Sequence, residues 1–286
     1  MVQEFCAAAM ARGVISNWLM FPLNLLQTRG LGTIKMLITD LTFFAFAIPA
    51  VVFAGVSKAG FGSGAAFASA SILALILEPG QALALMLPLL MLIDVAALRP
   101  YWGRWNAGAV RVLVLGGIPG VALGAGLYRA VDQDMMRVLI GAISIGFVLW
   151  QSAIGSFARR LGDHPLGPVG GTIAGVVAGF SSFVSHAGGP PAAVYLLSQK
   201  LSKTEYQATT VLLFWAINIA KFIPYAFLGM FTLNTLWVDV LLAPFALIGA
   251  WLGVRMHRVV SDKVFFALTY VLLSVTGAKL IWDGLT

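Results

Sequence analysis

The sequence predicts an all-α polytopic membrane protein of two inverted repeats, with interrupted or re-entrant helices and about 8–10 transmembrane segments. Composition is the first reason. Hydrophobic residues make up 60% of the chain and charged residues 10%, whereas roughly 25% are charged in an average soluble domain. The second reason is that the apolar runs are far longer than barrel strands and do not alternate. In lipid such runs form helices, because each helix satisfies its own backbone hydrogen bonds.

Residues 1–39 are predicted to form a leader or an amphipathic segment. The run from Phe5 to Leu26 is apolar but carries Arg12, Asn17 and Asn24. These polar residues favour a helix lying on the membrane surface, or a flexible leader, over a membrane span. A cleaner membrane pattern opens at Met36, so the natural start is left open.

Ten apolar segments follow, and they divide into repeat 1 (40–153), a polar linker (154–167) and repeat 2 (168–286). Their approximate ranges are 41–57, 64–77, 81–98, 108–128, 136–152, 168–184, 189–199, 205–228, 236–254 and 264–282. The second and the seventh are too short to cross a hydrocarbon core of about 30 Å comfortably. We therefore expect half-helices or the arms of re-entrant hairpins at these two places.

Sequence order supports a unit that is used twice. Gln81-Ala82 corresponds to Gln207-Ala208, and Pro119 with Gly124-Ala125 corresponds to Pro244 with Gly249-Ala250. Each half contains an interrupted pair of segments, a segment after Gln-Ala, a Pro/Gly-containing segment and a last helix. Such paired interruptions are typical of transporters with internal repeats.

The distribution of charge predicts the orientation. Basic residues fall in alternate loops: Arg99, Arg104, Arg159, Arg160, Lys200, Lys203, Arg255, Arg258 and Lys263. The positive-inside rule places these loops in the cytoplasm. Each repeat then has an odd number of crossings, five or three, so the second repeat is inverted. The formal net charge of +7 is thus a topology signal and predicts no nucleic-acid partner.

Two stretches interrupt the apolar pattern, Lys58 to Gly64 and Ser181 to Pro191. Glycine and proline disfavour a continuous helix there, and proline is well tolerated where a helix restarts. We expect restarts near Ser63 and Pro190. The N-terminal end of a helix carries about half a positive charge and exposed amides, which suits an oxyanion.

The predicted substrate site combines small residues at these interruptions with ionisable and polar residues at membrane depth. It consists of Lys58, Gly60, Gly62, Ser63, Gly64, Ser182, Ser185, His186, Gly188, Gly189, Asn218, Lys221 and Tyr225. Ionisable side chains in such positions are functional candidates. Asn218, Lys221 and Tyr225 share one helical face. His186 and Asp94 are the candidates for carrying a coupling proton.

Each of these assignments has a structural alternative. The glycines could allow close helix packing, which is also what we expect of Gly116, Gly120 and Gly124 at four-residue spacing. Lys58 could extend to the cytoplasmic interface. His186 could be a hydrogen-bonded structural residue, and Asp94 could pair with a cation.

The two interruptions also carry a resemblance to a known family. Gly60-Phe-Gly-Ser-Gly64 with Gln81-Ala82, and Ala187-Gly-Gly-Pro190 with Gln207-Ala208-Thr209, resemble the glycine-rich signatures of the TauE/SafE family of sulfite and organosulfonate permeases. The first signature departs from the family pattern: Ser63 replaces a glycine, the following proline is missing and Leu85 replaces a threonine. The resemblance implies a bacterial inner-membrane carrier of small sulfur-containing anions, including the branch that takes up 4-toluenesulfonate.

The expected function is therefore secondary transport of a small organic or inorganic sulfur oxyanion by alternating access, without cofactor, metal or catalysis. Bringing an anion into a negative-inside cell costs about 2.3 kcal/mol per 100 mV, so uptake needs coupling, for example to protons. Export of sulfite or sulfoacetate, driven by the membrane potential, stays open, and so does a homodimer. An intramembrane hydrolase using Ser63 and His186 is a weaker alternative, because Phe61 stands where a rhomboid-type protease has glycine.

Overall fold

The computed structural model describes residues 41–61, 66–161, 165–256 and 262–286. Over these ranges the regular structure is ten α-helices and one short 3₁₀ turn, Arg99–Tyr101. The helices are α1 (Leu41–Gly60), α2 (Ala68–Leu73), α3 (Pro79–Leu98), α4 (Ala107–Ala130), α5 (Gln133–Leu161), α6 (Pro168–Ser185), α7 (Gly189–Ser198), α8 (Lys203–Phe227), α9 (Leu233–Met256) and α10 (Asp262–Leu285). In this described part, eight helices are long and apolar enough to cross a membrane, all except α2 and α7. The predicted all-α polytopic class is confirmed.

Each of the ten predicted apolar segments corresponds to one helix. Segment 64–77 corresponds to the shorter α2, Ala68–Leu73. Helix α5 continues to Leu161, so helix occupies the first part of the range assigned to the linker. The leader predicted for residues 1–39 lies outside the described residues.

Glycines bring two pairs of helices into backbone contact, α1 with α9 and α4 with α6. A Cβ added at Gly249 would lie 2.5 Å from the carbonyl oxygen of Val52, and one added at Gly120 would lie 2.1 Å from that of Val176. Only glycine fits such contacts, which is the small-residue packing common between membrane helices. Gly116 contacts the α6 backbone in the same way, and Gly124 packs against the Phe183 side chain of α6. The packing role considered for this glycine series is what the structure shows.

The helix contacts come in matching sets, as expected if one unit is used twice. The α1–α9 contact corresponds to α6–α4, the α3–α9 contact to α8–α4, and the α2–α10 contact to α7–α5. Two further contacts, α3–α8 and α5–α10, join a helix to its own counterpart. This is the packing of two related halves that exchange helices across a shared interface.

The two self-corresponding pairs show that the halves are inverted. The contacts that set their directions are Asp94–Asn218 and Asn106–Glu205 beside α3 and α8, and Asp134–Gly284 and Gly141–Gly277 between α5 and α10. As the first residue number rises from 94 to 106, its partner falls from 218 to 205, and as it rises from 134 to 141, its partner falls from 284 to 277. The partners in both pairs therefore run antiparallel. A two-fold axis that relates antiparallel helices runs perpendicular to them. This is the arrangement of inverted repeats.

Two of the basic loops lie at the same end of the bundle. The backbone N–H of Asn106, in the loop after α3, donates to the hydroxyl of Thr209 in the first turns of α8 (2.9 Å). The N–H of Leu166, just before α6, donates to the hydroxyl of Ser198 at the end of α7 (3.1 Å). Helices α6 and α7 therefore form a hairpin that returns to the end where it began. The loops carrying Arg99, Arg104, Lys200 and Lys203 share this basic end, as the positive-inside rule predicts.

Candidate functional site

The second interruption is a break between α6 and α7. Helix α6 ends at Ser185, and His186 adopts left-handed backbone angles (φ 57°, ψ 13°), a region in which histidine is enriched among non-glycine residues. The His186 N–H donates to the carbonyl of Ser182 (2.9 Å), which closes the helix with an αL-type cap. Helix α7 restarts at Gly189 with proline in its first turn. The interruption and the restart near Pro190 are confirmed.

The first interruption is described in part. Helix α1 ends at Gly60, where an added Cβ would lie 2.5 Å from the carbonyl oxygen of Gly253. Gly62, Ser63 and Gly64, and with them the restart predicted near Ser63, lie outside the described residues. The chain re-enters the bundle as α2, where the Ser69 hydroxyl donates to the carbonyl of Ala50 (2.6 Å). Helix α2 thus folds back beside α1.

An ion pair joins the end of α1 to α3. The Lys58 Nζ lies 2.5 Å from Oδ1 of Asp94, and the Asn218 side chain on α8 donates to Oδ2 of Asp94 (2.7 Å). Lys58 is 5% exposed and Asp94 is 1% exposed, so Lys58 points into the bundle and does not extend to the interface. The side chain of Gln207 donates to the Lys58 carbonyl (3.0 Å), which satisfies one of the free carbonyls at the end of α1.

A second pair joins the α6–α7 break to α8. The Lys221 Nζ lies 2.7 Å from Nδ1 of His186 and 3.1 Å from the carbonyl oxygen of Ser182. The other ring nitrogen of His186, Nε2, lies 3.1 Å from the carbonyl oxygen of Leu83. Because a carbonyl only accepts, Nε2 carries the hydrogen, and Nδ1 is then free to accept from the Lys221 Nζ. This geometry describes an uncharged imidazole that accepts a hydrogen bond from the lysine.

The two pairs occupy corresponding places in the two repeats and meet at α8, where Asn218 and Lys221 are about one turn apart. With both lysines protonated and Asp94 ionised, the cluster of Lys58, Asp94, His186 and Lys221 would carry one excess positive charge. Each member is at most 6% exposed. The structure therefore shows a closed conformation, which has to open before a solute can reach the cluster.

Comparison with known proteins identifies the family of this chain. A sequence profile described as "Sulfite exporter TauE/SafE" matches residues 47–280. The chain belongs to this family. Searches of curated proteins and of solved structures gave no match. The TauE/SafE match covers both interruptions and every residue of the charged cluster, and it confirms the resemblance carried by the two glycine-rich stretches.

In this TauE/SafE member the remaining predicted residues mostly stabilise the backbone around the break. The Tyr225 hydroxyl donates to the carbonyl of Phe183 (2.7 Å) and the Ser185 hydroxyl to that of Ser181 (3.1 Å). Gly188 is enclosed, because an added Cβ would lie 2.7 Å from the carbonyl oxygen of Ala178. The structure thus brings Lys58, Asp94, His186, Asn218 and Lys221 together, with the α7 start at Gly188 and Gly189 beside them in sequence.

Two buried polar residues were not predicted from the sequence. The hydroxyl of Ser57 and both carboxylate oxygens of Asp239 are buried and have no hydrogen-bond partner among the described residues. Ser57 directly precedes Lys58, so it lies beside an interruption that the sequence already predicts to be part of the substrate site. Asp239 is an acid inside an apolar run, and the rule applied to Asp94 would have found it.

The hydrolase alternative finds no support in the TauE/SafE structure. Both ring nitrogens of His186 are engaged, by Leu83 and by Lys221, so neither activates a hydroxyl in this conformation. Ser63, the candidate nucleophile, lies outside the described residues. Family membership likewise indicates a transporter.

An apolar cavity of about 420 Å³ lies between α5, α6 and α7. It reaches the interruption at Ser181 and Ala187, and its other lining residues include Phe147, Trp150 and Val177. A cavity of this size and character suits a small apolar group.

Proposed function

We propose that this TauE/SafE member is a secondary transporter of small sulfur oxyanions in the bacterial inner membrane, acting by alternating access. The substrates would be organosulfonates, such as 4-toluenesulfonate or sulfoacetate, or sulfite. The observation that carries the proposal is that two lysines are buried in one cluster with a single carboxylate. Charges inside a membrane protein are costly unless they are compensated, and a bound monoanion would make this cluster neutral.

Lys221 is the residue best placed to hold the anion. An ammonium has three N–H donors, and two are directed at His186 Nδ1 and the Ser182 carbonyl, which leaves one for a ligand. Lys58, by contrast, already contacts Asp94. An anion entering between the two lysines would bind Lys221 first and compete with Asp94 for Lys58.

The inverted repeats supply a route for alternating access. Glycine contacts hold α1 against α9 and α4 against α6 as two equivalent packed pairs. In our proposal each pair moves as a unit against the central α3–α8 contact. Because the halves are inverted, moving one pair opens the cluster to one side of the membrane, and moving the other opens it to the opposite side.

The direction of transport depends on the coupling ion. Entry of a monoanion is opposed by about 2.3 kcal/mol per 100 mV, whereas entry together with one proton is electrically neutral. We favour proton-coupled uptake, with His186 and Asp94 as the predicted proton carriers. Export driven by the membrane potential uses the same cluster and is the alternative.

Ligand-induced stabilisation of the purified protein tests the proposal. Sulfite, sulfoacetate, taurine and 4-toluenesulfonate are added separately during thermal unfolding, because a ligand that binds the folded state raises its stability. At least one anion should stabilise the wild type and lose its effect in Lys221→Met. The matched control is Lys279→Met, which removes an exposed lysine that pairs with Asp283. An equal response of wild type and Lys221→Met would refute the proposed site.

A further inference from the structure

Asp239 is a buried carboxyl group outside the charged cluster. It lies on α9 and is 6% exposed, and neither of its carboxylate oxygens has a hydrogen-bond partner among the described residues. Six residues separate it from Leu233, the first residue of α9, which corresponds to about 9 Å along the helix. Helix α9 starts at the end of the bundle opposite the basic loops, so Asp239 is near the non-basic end.

Within the described part of the chain, the two helices that pack most closely against α9 provide no counter-ion for Asp239. Its main neighbours are α1 and α3. The sole ionisable side chain on α1 is Lys58 and the sole one on α3 is Asp94, and these two pair with each other. On α9 itself the other ionisable side chain is Arg255, about 24 Å away along the helix. A carboxylate left alone in such surroundings is so unfavourable that the group takes up a proton instead.

We infer that Asp239 is a proton-binding residue of this transporter in addition to the predicted carriers His186 and Asp94. It carries a proton in the closed conformation and releases it when α9 moves. The inference rests on the proposed function for the link to anion transport. Asp239 and Lys58 lie on the two helices of one glycine-packed pair, α1–α9. A movement that opens the cluster at Lys58 therefore also changes the surroundings of Asp239. The proton and the anion would then cross together with no net charge.

Infrared spectroscopy tests the protonation state without any substrate. A protonated carboxyl has a C=O stretching band separate from that of a carboxylate, and a group without hydrogen bonds absorbs at the high-frequency end. The wild-type full-length protein at neutral pH should show this band, and Asp239→Asn should lack it. Asp134→Asn, which changes an exposed carboxylate, should keep the band. An unchanged band in Asp239→Asn would overturn the inference.

Labelling of the wild type covers the case in which Asp239→Asn does not fold. A hydrophobic carbodiimide reacts with protonated carboxyls in apolar surroundings, and mass spectrometry locates the adduct. We expect an adduct at Asp239 that decreases as the pH is raised. Labelling of other carboxyls with none at Asp239 would contradict the inference.

Transport in proteoliposomes tests the coupling. The probe is 4-toluenesulfonate, which stays ionised throughout the assay, so any proton that moves is carried by the protein. Asp239→Asn mimics the protonated side chain and should retain anion exchange but lose accumulation driven by a pH gradient. Accumulation equal to that of the wild type would overturn the inference, and so would accumulation driven by sodium instead of protons. If the wild type moves none of the sulfur oxyanions, the proposed function fails, and the infrared and labelling results alone decide whether Asp239 binds a proton.

Discussion

Replacing Asp94 by asparagine should destabilise the protein and at the same time increase its response to anions. The substitution keeps the size of the side chain but removes the one carboxylate of the charged cluster. Lys58 and Lys221 would then be two buried cations without a carboxylate among their described contacts. Removing one partner of a buried ion pair costs about 3–5 kcal/mol of stability.

The companion variant Lys58→Met should be less harmful. Asp94 would keep the hydrogen bond from Asn218 (2.7 Å) and the nearby charge of Lys221, so we expect a loss at or below the lower end of that range, about 3 kcal/mol. The double variant Lys58→Met/Asp94→Asn removes both charges and should lose less than the sum of the two single variants, since residues in contact are not additive. The exposed pair of Asp134 and Arg137 is the control, and Asp134→Asn should cost less than about 1 kcal/mol.

Unfolding of the purified variants can be followed by the fluorescence of the protein's 8 tryptophans, with and without sulfite. Sulfite should stabilise Asp94→Asn more than it stabilises the wild type, because the anion replaces the missing carboxylate. The reasoning is wrong if the double variant loses the full sum of the two single losses, because the pair would then have no coupling energy. It is also wrong if Asp94→Asn gains no more from sulfite than the wild type does.

Three further predictions concern packing and the helix break. Gly120→Ala should destabilise the protein by about 1–3 kcal/mol, because the new Cβ meets a backbone oxygen. Gly126→Ala should be neutral or stabilising by up to about 1 kcal/mol, because no atom lies within 4 Å of the added Cβ. Thermal unfolding measures both, and equal effects would contradict the α4–α6 packing. His186→Ala should be less stable than His186→Gly by about 1–2 kcal/mol because of the left-handed backbone, and the reverse order would exclude that conformation. Tyr225→Phe should cost about 1–3 kcal/mol, because the carbonyl of Phe183 loses its buried donor, and wild-type stability would show that the bond contributes nothing.

Much of the fold was predictable because membrane helices follow simple rules. Twenty or so apolar residues make a span, basic residues accumulate in the loops of one side, and glycine with proline breaks a helix. These rules found the ten helices, the break at His186 and the inverted order of the halves. They could not give the length of α2 or the continuation of α5 to Leu161, since helix ends depend on packing that local sequence does not encode.

The candidate site was predictable as a set of residues but not as a set of contacts. Ionisable residues are rare in apolar segments, so each one was a separate candidate: Lys58, Asp94, His186 and Lys221. Which of them pair depends on how α1, α3, α6 and α8 meet, and the sequence alone left Asp94 as either an ion-pair partner or a proton carrier. In the structure it pairs with Lys58. The buried carboxyl that has no hydrogen-bond partner among the described residues is instead Asp239, which no motif marks.

The difference between the two repeats explains how a nearly symmetric protein can bind a single anion. In repeat 1 the residue at the interruption is a lysine and the residue on the following helix is a carboxylate, so the pair is neutral. In repeat 2 the interruption supplies a neutral histidine and the following helix supplies the lysine, so the pair is positive when Lys221 is protonated. One half therefore compensates its own charge and the other does not. In our proposal, an anion bound at Lys221 would complete in repeat 2 the neutrality that Asp94 provides in repeat 1, and the two halves would become electrostatically equivalent. Because a buried charge opposes closure of the site, the carrier with a bound anion should close more readily than the empty carrier. This difference limits movement of the empty site across the membrane, which is the condition for transport without a leak.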